Sequence, residues 1–212
     1  MNKIIGITGV AGAGKDTFCD FLSVRIPCER YSLADELKRE VSQWCRMHYH
    51  VDPVNCNRDQ KEIIRPFLVA HGSAKRSLSH GRHWIEKLHN KIIAGDRSKF
   101  KIITDIRYDD YENDEADWLQ RELGGVLVHV SQYKISACVD DSIMRMFLKP
   151  ANAEEARNDP KLKEKSNFQI EWEIVNNGRI EELEPYVDEF LRWLNDDHEK
   201  NNTSRQHSNK EN

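Results

Sequence analysis

A chain of 212 residues with 38% apolar content can bury one full α/β core and does not require a second domain. Its 32 basic and 36 acidic residues leave a net charge of −4, so no global positive field draws in a nucleic-acid backbone, which weighs against a large DNA partner. No apolar run approaches the roughly 18 residues of a bilayer span, and the five cysteines (Cys19, Cys28, Cys45, Cys56, Cys138) include no C-x-x-C pair, which argues against a disulfide frame. The expectation is a cytoplasmic protein with neither leader nor membrane anchor, its thiols kept reduced.

The first strand is expected at about 3–8, around the apolar run Ile4-Ile5-Gly6-Ile7, with a helix at about 15–25 after it. Between them Gly9 to Thr17 reads G-V-A-G-A-G-K-D-T, which satisfies G-x-x-x-x-G-K through Gly9, Gly14 and Lys15. With Gly12 and Ala13 inside it, such a loop curls its N–H groups round an anion without side-chain obstruction. Lys15 reaches the β- and γ-phosphates of a nucleotide, and the helix that follows aims its positive dipole end at the same place. Gly9, Gly12, Ala13, Gly14, Lys15, Asp16 and Thr17 are therefore the residues expected to bind ATP. Asp16 stands where Ser or Thr usually offers magnesium a hydroxyl, and Thr17 follows one residue later. Two roles stay open for Asp16: holding Mg2+ through a water, or orienting the acceptor while Thr17 touches a phosphate.

A second strand at about 28–32 leads into helices at about 34–48, 58–71 and 82–95, the middle one interrupted by Pro66, which removes a helix hydrogen bond. The segment 58–76 gathers Arg58, Arg65, Lys75 and Arg76, cations that suit an acceptor already carrying a phosphate. Cys45, His48, His50 and Cys56 have no common zinc-finger spacing and read as ordinary polar residues near a helix end. Trp84, Trp118 and Trp193 read as core filling.

The third strand, about 100–104, ends in Thr104-Asp105-Ile106-Arg107, and ligands of open parallel sheets sit beyond such carboxyl ends. Asp105 and Arg107 are thus candidates for chemistry, Asp105 facing magnesium or the acceptor. A helix at about 111–123 and a strand at about 125–131 come next. Residues 132–169 then carry Arg145, Lys149, Arg157, Lys161, Lys163 and Lys165 with little apolar regularity. A basic flap there reads as a lid, and Arg145 or Arg157 as the arginine that stabilises the transition state. A last strand at about 172–176 ends in Asn176-Asn177-Gly178, placing Asn177 against the nucleotide base, and a helix at about 180–195 closes the domain. Residues 196–212 hold nothing apolar to bury and read as a disordered tail. Strands alternating with helices predict an α/β P-loop NTPase fold, three layers round a five-stranded, mainly parallel sheet, in one kinase domain over residues 1–195.

The ordered set G-x-x-G-x-G-K-D-T, Y-S-L-A-x-x-L-K, R-x-x-L-x-x-x-G, T-D-I-R and V-N-N-G resembles the deoxynucleoside monophosphate kinases of tailed bacteriophages over about residues 3–192. Dephospho-coenzyme A kinase and animal phosphomevalonate kinase are more distant in pattern. The resemblance implies Mg-ATP as phosphoryl donor, a small nucleotide as acceptor, and Lys38, Arg65, Arg76 and Arg107 near that acceptor. It also allows a homodimer paired through helices near residues 60–95. Departures occur at Ala34-Asp35-Glu36, where a small or proline-like turn is expected, and at His71-Gly72-Ser73. Asp35 joins the acceptor candidates because a hydroxyl acceptor benefits from a carboxylate that takes its proton. Three readings follow: a deoxynucleoside monophosphate kinase, a kinase of 5-hydroxymethyluracil in DNA, and a non-catalytic NTP-binding regulator.

Overall fold

The computed structural model of the protein describes residues 4–137, 143–150, 153–164 and 170–208. β1 (Ile4–Thr8) lies at the centre of a sheet, paired in parallel with β3 (Phe100–Ile103) on one side and β4 (Val126–Ala137) on the other. β2 (Cys28–Tyr31) adds to β3 and β6 (Trp172–Asn176) to β4, both parallel, giving five parallel strands in the order β2-β3-β1-β4-β6. Ile5 aligns with Ile102 and with Val126, which puts the carboxyl ends of β1 and β3 side by side. The five expected strands are all present. β5 (Ile143–Phe147) is an addition that pairs antiparallel with the far end of β4, because Val126–Ala137 runs well beyond the expected end at 131.

Alternation along the strands gives each face its own core. On one face Ile5, Ile7, Ile102 and Val130 meet Phe18 and Leu22 of α1 (Lys15–Arg25) and Phe190 of α7 (Ile180–Ser208), with Phe18 and Phe190 edge to face at 5.8 Å. On the other, Ile103, Ile106 and Leu127 meet Ile85 and Leu88 of α4 (Arg82–Ala94), together with Trp118 and Leu119. A Cβ on Gly6 would stand 2.2 Å from Leu119 Cδ2, so any side chain at this position in β1 would force the buried Leu119 to move. Trp84 and Trp118 are buried and Trp193 is half-buried, all packed into these cores.

α2 (Leu33–Tyr49) and α3 (Arg58–Leu78) form a further helical layer round Val41, Cys45, Val51, Ile64 and Leu68. α3 continues through Pro66 and past the expected end at 71, so one missing N–H does not break a helix whose apolar face is seated on α2. The helix expected at 111–123 is shorter. α5 (Glu115–Asp117) starts only at the Asp114 cap and passes into a π-helical stretch, Trp118–Glu122. α7 is helical to Ser208, past residue 195 where composition places a disordered tail; helical hydrogen bonds are local and need no buried face to propagate. Within the segment expected to act as a lid, β5 and α6 (Ala153–Glu164) are formed. Among the described residues no helix is long and apolar enough to cross a membrane.

Candidate active site

The loop between β1 and α1 owes its shape to glycines. Gly9, Gly12 and Gly14 have φ of 129°, 80° and 99°, a region L side chains avoid, and a Cβ on Gly9 would lie 2.1 Å from the Val130 carbonyl oxygen. Gly14 is the N-cap of α1 and offers no side chain to its first N–H groups, which leaves them to an anion. Lys15 Nζ donates to the carbonyls of Gly9 at 2.7 Å and Val10 at 2.8 Å, folded back over the loop. Burial lowers its pKa and Arg107 lowers it further, while Glu155, Asp16 and Asp105 oppose.

Arg107 reaches this point because its own N–H is held. Glu115, buried at the start of α5, accepts the N–H groups of Arg107 at 2.8 Å and Tyr108 at 3.1 Å. Burial pushes the Glu115 carboxyl up to about 8 against the pull of Arg76. A small cavity beside the loop is lined by Thr8, Gly9, Val10, Arg107, Tyr108 and, from α6, Glu155, Asn158 and Leu162 among others. α6 is tied down by Asp159, 3.0 Å from His129 on β4, and by Leu162 in the core.

Across the loop lies a cleft of about 760 Å³ between Ala11 and the start of α3, lined by Asn57, Arg58, Lys61, Glu62 and Arg65. A capping box, Asn57 with Gln60, starts α3 there, and the spacing of four residues puts Lys61 and Arg65 on one face. Arg65 is raised by its hydrogen bonds to Glu62 and also feels Glu155. Three cations thus face the phosphate loop.

Several predicted site residues have other tasks. Asp105 accepts the Leu33 and Ala34 N–H groups at 2.9 and 2.8 Å and the Ser32 hydroxyl at 2.9 Å, so both its oxygens hold the N-terminus of α2. Arg76, expected near the acceptor, is buried in a fork with Asp114 at 2.7 and 2.9 Å, close to Glu115 and over the Tyr108 ring at 3.6 Å. Asp35 and Lys38 pair with each other at 2.7 Å. Asp16 is exposed on the first turn of α1 and pairs with Arg30. Thr17 follows it on the same turn. Asn177 donates to Glu182 and accepts the Arg179 N–H, closing the turn into α7. Its neighbour Asn176 is the one that touches the loop, donating from Nδ2 to Ala13 O at 2.9 Å and Ser131 O at 2.7 Å. The alternation of β6, with Ile174 and Asn176 both buried, was the signal for it.

Arg145 lies on β5 with its guanidinium over the Tyr133 ring at 4.8 Å, and Arg157 pairs with Glu154 and Asp110. Lys165 and the side chains of Lys161 and Lys163 are outside the described residues. Glu155 was not foreseen, since nothing local in A-E-E-A-R marks one glutamate as facing a loop 144 residues earlier.

No protein-family model matches the chain, and no curated protein matches it in sequence. Among solved structures, dephospho-CoA kinase from Campylobacter jejuni aligns over 92% of this chain and 98% of its own, with TM-score 0.50 and 14% identity. A sugar kinase from Janibacter aligns over 92% and 95% with TM-score 0.40 and 15% identity. TT1252 from Thermus thermophilus aligns over 90% and 97% with TM-score 0.41 and 17% identity. At such identities the likeness lies in the fold: the chain has the three-layer α/β architecture of P-loop kinases.

Proposed function

We propose that the protein transfers the γ-phosphoryl group of Mg-ATP to a small phosphorylated acceptor, most specifically a deoxynucleoside monophosphate. The observation that carries this reading is the cation-lined cleft: Arg58, Lys61 and Arg65, with Glu62 among them, line it together with Ala11 of the phosphate loop. Arginine forks match phosphate oxygens two at a time, so a monophosphate ester fits there better than a neutral sugar. Lys15, Asn176 and the glycine loop hold the donor, and Arg107 adds charge where the phosphoryl group is transferred.

The commitment of Asp105 also supports an acceptor that is already an anion. A hydroxyl acceptor needs a base, but Asp105 has both oxygens on α2 and Asp35 is paired with Lys38. Asp105 and Arg76 are accordingly assigned to holding the frame, not to contact with substrate.

Among the described residues no three His, Cys, Asp or Glu side chains are grouped to hold a metal by themselves. That fits an ion bound by one or two protein oxygens plus phosphates, and Asp16, an exposed carboxylate beside the loop, with Thr17, is the donor set available for it. When bound, Mg2+ supplies neutralisation of the β- and γ-oxygens.

ADP release measured with Mg-ATP and a panel of deoxynucleoside monophosphates, beside duplex DNA containing 5-hydroxymethyluracil, tests the reading. Turnover with particular monophosphates is expected; turnover with the modified DNA alone would reassign the acceptor, and silence with both would leave a nucleotide-binding regulator.

A further inference from the structure

The phosphate loop is met by a carboxylate from its own chain. Glu155, on α6 and nine-tenths buried, accepts the Ala11 N–H through Oε2 at 3.2 Å. Its Oε1 stands 3.7 Å from Arg107 Nη1, and its charge raises both Lys15 and Arg65. One anionic group therefore meets a loop amide and the guanidinium at the end of β3, within the field of cations from α1 and α3. Those same groups are assigned above to the two sides of phosphoryl transfer, so a phosphoryl group passing between donor and acceptor would need this same environment.

We propose that Glu155 is a built-in phosphoryl surrogate: without nucleotide its carboxylate occupies the place of the transferring group, and nucleotide binding expels it by shifting α6. The inference rests on the proposed ATP site. Two anions cannot share one amide and one guanidinium without strong repulsion, so occupancy by phosphate and by Glu155 are alternatives. The cavity left between α6 and the loop is small, and Lys15 is folded onto loop carbonyls, both as expected of a site closed on itself. The docked helix also carries a penalty, since Asn158 is 3% exposed and its Oδ1 has no hydrogen-bond partner among the described residues. Departure of α6 would return that oxygen to water, while the pairs Asp159 with His129 and Arg157 with Asp110 can re-form on closing.

The test is calorimetric titration of the intact protein with ADP and, separately, with inorganic tripolyphosphate, in wild type, Glu155→Gln and Glu181→Gln, the last removing one exposed charge from α7. Glu155→Gln should bind both ligands about tenfold more tightly, because the competing closed state is weakened, and Glu181→Gln should match wild type. Hydrogen exchange on wild type should show the amides of 153–164 losing protection when ADP is added, a readout that does not depend on any variant folding. Unchanged or weaker binding in Glu155→Gln, or unchanged exchange in α6, overturns the surrogate while leaving the ATP site standing. Failure of wild type to bind either probe overturns both.

Discussion

The α/β body and the α2–α3 layer are held together by different physics. The body has two apolar cores, one on each face of the sheet, with residues such as Phe18, Ile102 and Trp118 buried completely. The α2–α3 seam is small, and much of what surrounds it is ionic: Glu40 alone meets His71 at 2.9 Å, His83 at 2.8 Å and Lys87 at 2.5 Å, and Glu36 meets Lys91 at 2.7 Å. Burial would raise Glu40, but these donors outweigh it and hold the carboxyl well below its usual range. Close packing fixes positions to fractions of an ångström, which a phosphate loop requires.

Breaking the loop should have the largest effect. Lys15→Ala removes the cation at the β- and γ-phosphates and should lower turnover by on the order of 10³-fold, with an unchanged circular dichroism spectrum; near-normal turnover would sink the phosphate-loop mechanism. Next comes the joint between the two regions. Arg76→Leu strands Asp114 and Glu115 in the interior and should cost about 3–5 kcal/mol, read by urea denaturation, whereas a loss under 1 kcal/mol would mean the network is far wetter than its burial implies.

Asn176→Ala leaves the Ala13 and Ser131 carbonyls without their donor and should cost about 1–3 kcal/mol of stability while weakening ATP binding; a loss of stability with ATP affinity intact would remove its role in bracing the loop. Arg65→Ala sharpens the comparison from the other side. It should raise the KM for the monophosphate acceptor by about tenfold through loss of a charge-assisted hydrogen bond, with the KM for ATP unchanged, and a selective change in the ATP KM would move Arg65 to the donor site.

A last effect concerns pH. Glu115 keeps its proton up to about 8 when folded but releases it near 4.5 when unfolded. The folded state then binds more protons between those values, so this contribution to stability is complete below about 4.5 and is lost as pH rises through about 8. Glu115→Gln should flatten the corresponding slope in thermal melts between pH 5 and 8; an unaltered slope would assign it to other groups.

The sheet and the phosphate loop were legible in the chain because their signals are local. An apolar run followed by G-x-x-x-x-G-K dictates strand, turn and helix, and strand signals alternating with helical segments marked all five parallel strands. What misled was local plausibility. Asp105 does follow a buried strand, but the nearest unsatisfied groups are the N–H groups of α2, and capping them uses both its oxygens. Arg76 lies in a basic stretch, yet three-dimensional packing supplied Asp114 and Tyr108 as its partners. In V-N-N-G the two asparagines are equivalent as letters, and strand alternation turns Asn176 to the loop and leaves Asn177 to the turn.

The sequence by itself determined the parallel sheet, the glycine-rich loop and the cations of α3, since each depends on residues near one another in the chain. Only tertiary structure decided which charges meet: that Arg65 and Arg107 converge on the loop, that Arg76 does not, and that Glu155 stands among them. Such pairings depend on distances across the fold, and Coulomb energies vary with separation and burial that no linear spacing records.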